Sequence, residues 1–180
     1  MIYITRHGES EYNLMGRIGG DSSLTDNGTA YAARLRAYFR TEPLVICSDT
    51  KRTKETAGGF TSFTIDKNLN EIHAGICEHM TYDEIQRVYP DICEKRIADK
   101  LNFMYPSGES YSCVHKRVYH SINRLDTTRP TLIICHQAVA RMILSILMKK
   151  KPVDCVTLDI PLHQLMMVDT VTAKLIFIEP

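Results

Sequence analysis

The stretch "TLIICHQAVARMILSIL", residues 131–147, decides the fold class. Its first part is a largely apolar run that predicts a buried strand, and Val139, Ile143 and Leu147 then recur with the period of a helix. A continuous apolar strand that leads directly into such a helix is typical of a parallel sheet covered by helices on both faces.

The same alternation of strands and helices extends outward in both directions. Strands are predicted at residues 2–4, 44–47 and 61–65, and two or three closing strands over 155–160, 163–169 and 173–179. Helices are predicted at 26–40, 50–57, 82–88 and 91–98, and over the apolar face formed by Val114, Val118, Ile122 and Leu125. Asp26 is the predicted N-cap of the first helix, and Ser48 with Asp49 caps the second. We therefore expect an α/β fold, a three-layer α/β/α sandwich with a mainly parallel central sheet.

Length and composition restrict the class of protein. The 180 residues fit a single domain, 1–180, and a net charge of +1 leaves no basic excess for binding nucleic acid. The longest apolar segment, residues 138–148, contains Arg141 and has about half the length of a membrane span. The six cysteines include no C-x-x-C pair, so we expect reduced thiols in a cytoplasmic protein that contacts neither nucleic acid nor membrane.

Charged side chains follow three of the predicted strands. Arg6 and His7 follow the first strand, Arg52 comes shortly after the second, and His136 follows the strand at 131–135. Because the carboxyl ends of parallel strands meet at one edge of a sheet, we expect these four side chains to lie together. Neither H-x-x-x-H nor D-x-D is present, so no metal site is expected. Two arginines suit a phosphoryl group, and a neutral imidazole is a competent nucleophile toward phosphorus.

Several motifs carry a resemblance to a known family. "TRHGESEYN" with "RIGGDSSLTDNG", "SDTKRTKETA" and "CHQAVAR" resemble the signatures of the histidine phosphatase superfamily, in its phosphoglycerate-mutase-like branch. "LNEIHAGICEHMTYDEI", "YPDICEKRIADK" and "YPSGESY" are similar to the bisphosphatase domain of 6-phosphofructo-2-kinase/fructose-2,6-bisphosphatase. The resemblance implies a phosphoglycerate-mutase-like fold and a phosphosugar substrate, fructose 2,6-bisphosphate, cleaved at C2 to fructose 6-phosphate and phosphate. It implies no cofactor.

The resemblance also implies roles for individual residues. His7 attacks the 2-phosphate and becomes phosphohistidine, and Glu71 protonates the leaving oxygen and then activates water, with Glu78 as a competing candidate for that role. The transferring phosphoryl group is held by Arg6, Arg52 and His136, assisted by Asn13 and the backbone near Gly19. The sugar and its 6-phosphate are held by Tyr82, Arg96, Lys100, Tyr111, Gln137 and Arg141.

Some of these positions have an alternative interpretation. By their spacing alone, Arg96 and Lys100 are typical of a solvated helix face, and Tyr82 and Tyr111 could equally be packing residues. Arg141 lies inside an apolar helix, where burial without an anionic partner is costly, and this favours a functional role.

The chain departs from the family at residues 101–104. They read Leu-Asn-Phe-Met, where family members usually carry arginines, so we expect weaker capture of the 6-phosphate or an altered specificity. A broader sugar-phosphate or phosphoglycerate phosphatase, a mutase and a phosphosugar-binding pseudoenzyme remain alternatives. No G-x-x-x-x-G-K-[ST] motif is present, so we expect no kinase domain in these residues. The oligomeric state is left open.

Overall fold

A mixed sheet of six strands forms the centre of the molecule. The computed structural model describes residues 1–126, 128–169, 172 and 174–180. The strands in chain order are β1 Ile2–Arg6, β2 Leu44–Cys47, β3 Thr64–Ile65, β4 Thr131–Cys135, β5 Leu165–Asp169 and β6 Lys174–Ile178. The helices are α1 Glu11–Leu14, α2 Asp26–Tyr38, α3 Lys51–Ala57, α4 Tyr82–Val88, α5 Pro90–Ala98, α6 Tyr111–Ile122, α7 Gln137–Leu147 and α8 Pro152–Cys155. Single 3₁₀ turns occupy Lys67–Leu69 and Gly75–Cys77.

The sheet has the order β3-β2-β4-β1-β5-β6. Strands β1 and β2 flank β4 in parallel and β3 runs parallel to β2, whereas β5 and β6 are antiparallel to their neighbours. Arg6 pairs with Cys135, and Cys47 pairs with Ile134. The carboxyl ends of β1, β2 and β4 therefore meet at one edge, where the side chains that follow these strands converge.

The side chains of β4 alternate between two separate cores. Leu132 and Ile134 pack into a core with residues of α2 and α3, whereas Ile133 and Cys135 pack into a larger core with residues of α6 and α7. Because neighbouring residues of a strand point to opposite faces, helices cover both sides of the sheet. The predicted three-layer α/β/α sandwich with a mainly parallel sheet is confirmed.

A third and smaller core lies in the segment between β3 and α6. It is formed by Ala74, Cys77, Ile85, Ile92 and Tyr105, which bring together the second 3₁₀ turn, α4 and α5. This segment supplies one wall of the cavity at the carboxyl edge of the sheet.

Four local predictions differ from the structure. Residues 155–160 form no strand: α8 ends at Cys155, and Val156 and Ile160 bury their side chains from irregular backbone. The N-cap of α2 is Thr25, whose hydroxyl accepts from the Gly28 amide, and that of α3 is Thr50. Strand β3 is shorter than predicted, and Ala173 of the predicted last strand lies outside the described residues.

Candidate active site

His7 lies at the end of β1 and is 4% exposed. Its amide donates to the Cys135 carbonyl at 3.0 Å, so the loop begins as a continuation of the parallel ladder. The imidazole Nδ1 is 2.7 Å from the Gly8 carbonyl oxygen, which can only accept. Nδ1 therefore carries the proton, and Nε2 presents a lone pair.

Arg52 joins both histidines. Its Nε donates to His7 Nε2 at 3.2 Å, and its Nη2 donates to His136 Nδ1 at 3.3 Å. Burial, followed by the charge of Arg52, holds the pKa of each imidazole well below its ordinary value. Both rings are therefore neutral near pH 7, which a nucleophilic imidazole requires.

The other groups of Arg52 and Arg6 are anchored by the surrounding loops. Arg52 Nη1 donates to the Gly20 carbonyl at 2.8 Å and pairs with Asp21 at 3.4 Å. Arg6 Nη1 donates to the Ile160 carbonyl at 2.9 Å, and its buried Nε has no hydrogen-bond partner among the described residues. These contacts fix the orientation of both guanidinium groups, so an anion that binds beside them meets donors that are already positioned.

Glu71 and Glu78 occupy different environments. Glu71 Oε1 accepts from the amides of Ile72 at 2.9 Å and Ala138 at 3.2 Å, and its side chain lines the cavity. Glu78 does not line it: its two carboxylate oxygens accept from the Gly20 and Ala74 amides, each at 2.5 Å. The geometry therefore places Glu71, and not Glu78, where a proton could reach a substrate.

Glu78 also explains the need for glycine at position 19. Gly19 has a φ of +65°, and a Cβ at this position would overlap the Glu78 carboxylate. Nearby, Asn13 Oδ1 accepts from the Ser10 amide at 3.0 Å in a capping box that fixes the start of α1. These contacts hold the loop that forms one side of the cavity.

The opposite wall of the cavity is basic and aromatic. Arg96 donates to the Tyr82 hydroxyl at 3.3 Å and lies 5.3 Å from the centre of that ring. Arg141 donates to the Tyr111 hydroxyl at 2.8 Å and to the Leu158 carbonyl at 2.7 Å. Burial, together with Arg141 and Arg96, lowers the pKa of Lys100 to about 8. These contacts hold Arg96 and Arg141 in place, and Lys100 lines the same cavity.

The cavity has a volume of about 610 Å³ and collects nearly all of the predicted site residues. Those on its wall are Arg6, His7, Asn13, Gly19, Arg52, Glu71, Tyr82, Arg96, Lys100, Tyr111, Gln137 and Arg141. His136 is fully buried and touches the site through Arg52. Glu71 is the one carboxylate among the described residues that line the cavity, so the cavity suits a small molecule that carries several negative charges.

Comparison with known proteins gives the family. A family model described as "Histidine phosphatase superfamily (branch 1)" matches residues 2–175. The chain belongs to the histidine phosphatase superfamily.

Curated relatives of this histidine phosphatase include proteins named 6-phosphofructo-2-kinase/fructose-2,6-bisphosphatase. The chain described here is 42% identical over 167 residues to a 6-phosphofructo-2-kinase/fructose-2,6-bisphosphatase of Gallus gallus, and the match covers 90% of this chain and 36% of the relative. A protein of the same name from Caenorhabditis elegans is 42% identical over 171 residues, covering 91% and 37%. The chain thus spans little more than a third of the length of these relatives.

Solved structures show the same fold. The alpha-ribazole phosphatase from Shigella flexneri superposes with a TM-score of 0.84 at 21% identity, covering 93% of this chain and 90% of that one. A mycobacterial glucosyl-3-phosphoglycerate phosphatase has a TM-score of 0.81 at 20% identity, covering 98% and 95%. At these identities the likeness concerns the fold alone.

Sequence reasoning did not identify several residues of the site. Ser10, Tyr12, Arg17 and Tyr105 also line the cavity. Arg17 pairs with Glu84 at 3.3 Å. Because Arg17 is the first residue of the motif "RIGGDSSLTDNG", its position in that motif could have indicated a place in the site. Tyr105 enters from the third core, and no spacing in the sequence indicates this.

The described residues of this histidine phosphatase contain neither a candidate metal cluster nor a candidate membrane span. No cluster of three or more His, Cys, Asp or Glu side chains within the described ranges could hold a metal ion. None of the helices that the structure describes is long and apolar enough to cross a membrane.

Proposed function

We propose that this histidine phosphatase hydrolyses the 2-phosphate of fructose 2,6-bisphosphate through a phosphohistidine on His7. One observation carries the proposal: a single cavity has one cluster of basic residues beside His7, formed by Arg6 and Arg52, and a second cluster formed by Arg96, Lys100 and Arg141. A sugar with two phosphates matches two basic groups, and the name of the relatives at 42% identity includes this substrate.

The geometry supports a mechanism in two steps. His7 Nε2 attacks phosphorus once the incoming phosphoryl oxygens replace it as the acceptor for Arg52 Nε. The bond between phosphorus and the C2 oxygen breaks, and Glu71 donates a proton to that oxygen. The Glu71 carboxylate then takes a proton from a water molecule, whose oxygen attacks the phosphohistidine and releases phosphate. Arg6 and Arg52 stabilise the charge on the equatorial oxygens in both steps.

A second candidate is a phosphatase of broader specificity for sugar phosphates. The segment where arginines were expected is occupied by packing residues: Leu101 packs against the larger core, and Phe103 contacts Tyr105 with ring centroids 5.2 Å apart. The second basic group therefore depends on Arg96, Lys100 and Arg141, without help from residues 101–104.

The test is a search for the covalent intermediate. The protein is mixed with fructose 2,6-bisphosphate labelled at the 2-phosphate and quenched in alkali, because phosphohistidine is labile to acid. We expect labelled protein from the parent and none from His7→Ala. The matched control is His120→Ala, which removes an exposed histidine and should label like the parent. Labelling of His7→Ala at the parent rate would refute the mechanism.

Substrate choice is tested separately. A panel of phosphorylated sugars and phosphoglycerates is ranked by kcat/KM, and we expect the bisphosphate to exceed fructose 6-phosphate and 3-phosphoglycerate. Equal values across the panel would favour the broader phosphatase. Transfer of the label to a second substrate position, instead of to water, would indicate a mutase.

A further inference from the structure

Ser48 contacts the buried face of His136. It follows the last residue of β2, is fully buried, and places its Oγ 2.8 Å from His136 Nε2. The same Oγ lies 2.8 Å from Thr53 Oγ1 and 3.2 Å from Thr50 Oγ1. A buried hydroxyl with this many polar neighbours must have a defined direction for each hydrogen bond.

The directions follow from the neighbouring groups. A guanidinium only donates, so His136 Nδ1 accepts from Arg52 Nη2. A neutral imidazole has one proton, which therefore resides on Nε2 and is donated to Ser48 Oγ. The Thr53 hydroxyl donates to the Ser48 carbonyl oxygen at 2.9 Å, so Thr53 Oγ1 accepts the hydrogen bond that the Ser48 hydroxyl donates. The chain of hydrogen bonds ends on a backbone acceptor.

We propose that Ser48 is a positioning residue that keeps the proton of His136 on Nε2, so that Nδ1 accepts from Arg52 and holds the guanidinium beside His7. The other tautomer would place an N–H of His136 against an N–H of Arg52, and two donors cannot bond to each other. Arg52 would then lose one of the two imidazoles between which it lies, and with it part of its orientation toward the phosphoryl group. The effect on rate rests on the proposed function, whereas the tautomer does not.

The tautomer is measured first, on the parent protein labelled with ¹⁵N-histidine. Long-range proton–nitrogen correlation spectra distinguish a protonated ring nitrogen from an unprotonated one. We expect His136 to show a protonated Nε2 and an unprotonated Nδ1 at pH 7. A proton on Nδ1 would overturn the proposal without any variant.

Two serine variants then separate the specific effect from loss of a buried hydroxyl. Ser48→Ala removes the nearer acceptor, at 2.8 Å from His136 Nε2, and leaves the weaker contact with Thr50 Oγ1 at 3.4 Å. Ser145→Ala is the matched control, since Ser145 is equally buried on α7 but bonds to the Met142 carbonyl. In Ser48→Ala we expect a mixture of His136 tautomers and phosphoenzyme formation slowed about tenfold, the value of one hydrogen bond. Ser145→Ala should show the parent tautomer and the parent rate. A parent-like tautomer in Ser48→Ala would overturn the proposal.

A double-mutant cycle shows whether Ser48 acts through His136. The affinity for inorganic phosphate is measured in the parent, Ser48→Ala, His136→Ala and the double variant. We expect Ser48→Ala to weaken binding in the parent and to have no further effect once His136 is absent. Additive effects would contradict the proposal. If the parent protein binds phosphate and shows the expected His136 tautomer but forms no phosphoenzyme, the proposed function is contradicted and the role of Ser48 is not.

Discussion

At the scale of the residue, one guanidinium organises the site. Arg52 lies between two neutral imidazoles whose ring centroids are 5.1 Å apart, and it contacts both. Its Nε donates to the lone pair of His7 Nε2. Under the proposed function, a phosphoryl oxygen has to take over this hydrogen bond before Nε2 can attack, so the lone pair becomes free only when the negative charge of the phosphoryl group is there to be stabilised.

The two glutamates near the cavity should respond differently to neutralisation. Glu71→Gln keeps the acceptor for the Ile72 and Ala138 amides but removes the proton donor, so we expect kcat to fall about 10²–10⁴-fold with an unchanged free energy of unfolding. Glu78→Gln disrupts a carboxylate bound to two amides, so we expect about 1–3 kcal/mol less stability. Steady-state kinetics and urea unfolding check both. The larger loss of kcat in Glu78→Gln would reverse the assignment.

Lys100 should introduce a pH dependence on the alkaline side. Its pKa of about 8 means that the ammonium is present at pH 7 and is lost as the pH rises through 8. Loss of that charge weakens binding of an anion, so KM should increase above pH 8, by at most about tenfold per pH unit. Initial rates across pH 6–10 measure this. Lys100→Gln should have a high KM and lack the increase, whereas Lys95→Gln, which changes an exposed lysine, should retain it.

At the scale of the element, the loop after β1 is pressed against the start of α2. A Cβ on Gly8 would lie 2.5 Å from the Gly28 carbonyl oxygen, and a Cβ on Gly28 would overlap the Glu9 carbonyl oxygen. This close contact between backbones fixes the position of the loop that begins with His7. The loop is therefore held on one side by the hydrogen bond of the His7 amide that continues β1, and on the other side by the start of α2.

Gly28→Ala tests this contact. The added methyl group must displace backbone, so we expect the free energy of unfolding to fall by about 1–3 kcal/mol and phosphoenzyme formation to slow as the loop moves. Gly59→Ala is the control, because its methyl group would lie 3.2 Å from Arg36 Cβ and 3.4 Å from Arg36 Cγ, so it meets side-chain atoms and no backbone among the described residues. Denaturant unfolding and the labelling assay provide the two readouts. Parent behaviour of Gly28→Ala in both would show that the contact is not required.

At the scale of the whole molecule, the fold gathers positive charge around one cavity, while acidic residues elsewhere in the chain bring the net charge close to zero. The net charge is +1, yet one carboxylate stands among the described lining residues of a cavity that includes Arg6, Arg17, Arg52, Arg96, Lys100 and Arg141. These cations repel each other, and an anion that binds the folded state relieves that repulsion.

Anions should therefore stabilise the fold as a whole. We expect sodium phosphate at about 100 times its Kd to raise Tm by about 5–10 °C, from ligand linkage in a protein of this size. Sodium chloride at the same ionic strength is the control, and differential scanning calorimetry is the measurement. An equal increase in chloride would show that the cavity has no specific affinity for the phosphate group.

Much of the architecture could be predicted because it follows from local periodicity. The strand at 131–135 and the helix at 82–88 occur as expected, and the histidines and arginines that follow parallel strands converge. Ser48 illustrates the limit. It was predicted as a helix cap, but its hydroxyl bonds to His136, a residue distant in sequence, and Thr50 takes the cap position instead. Partners of this kind depend on tertiary contacts, which local spacing does not encode.

The sequence by itself determined the α/β class, the family, and the edge of the sheet where Arg6, His7, Arg52 and His136 meet. The class and the shared edge follow from hydrophobic period and from the alternation of strands and helices, which are local patterns, whereas the family follows from the resemblance of the quoted motifs. Only the tertiary structure decided that Glu71 faces the cavity while Glu78 supports a loop. It also placed Arg96 and Lys100 at the wall of the cavity, because Ile92 of α5 packs into the third core and that packing sets which face of the helix, and of the turn after it, borders the cavity.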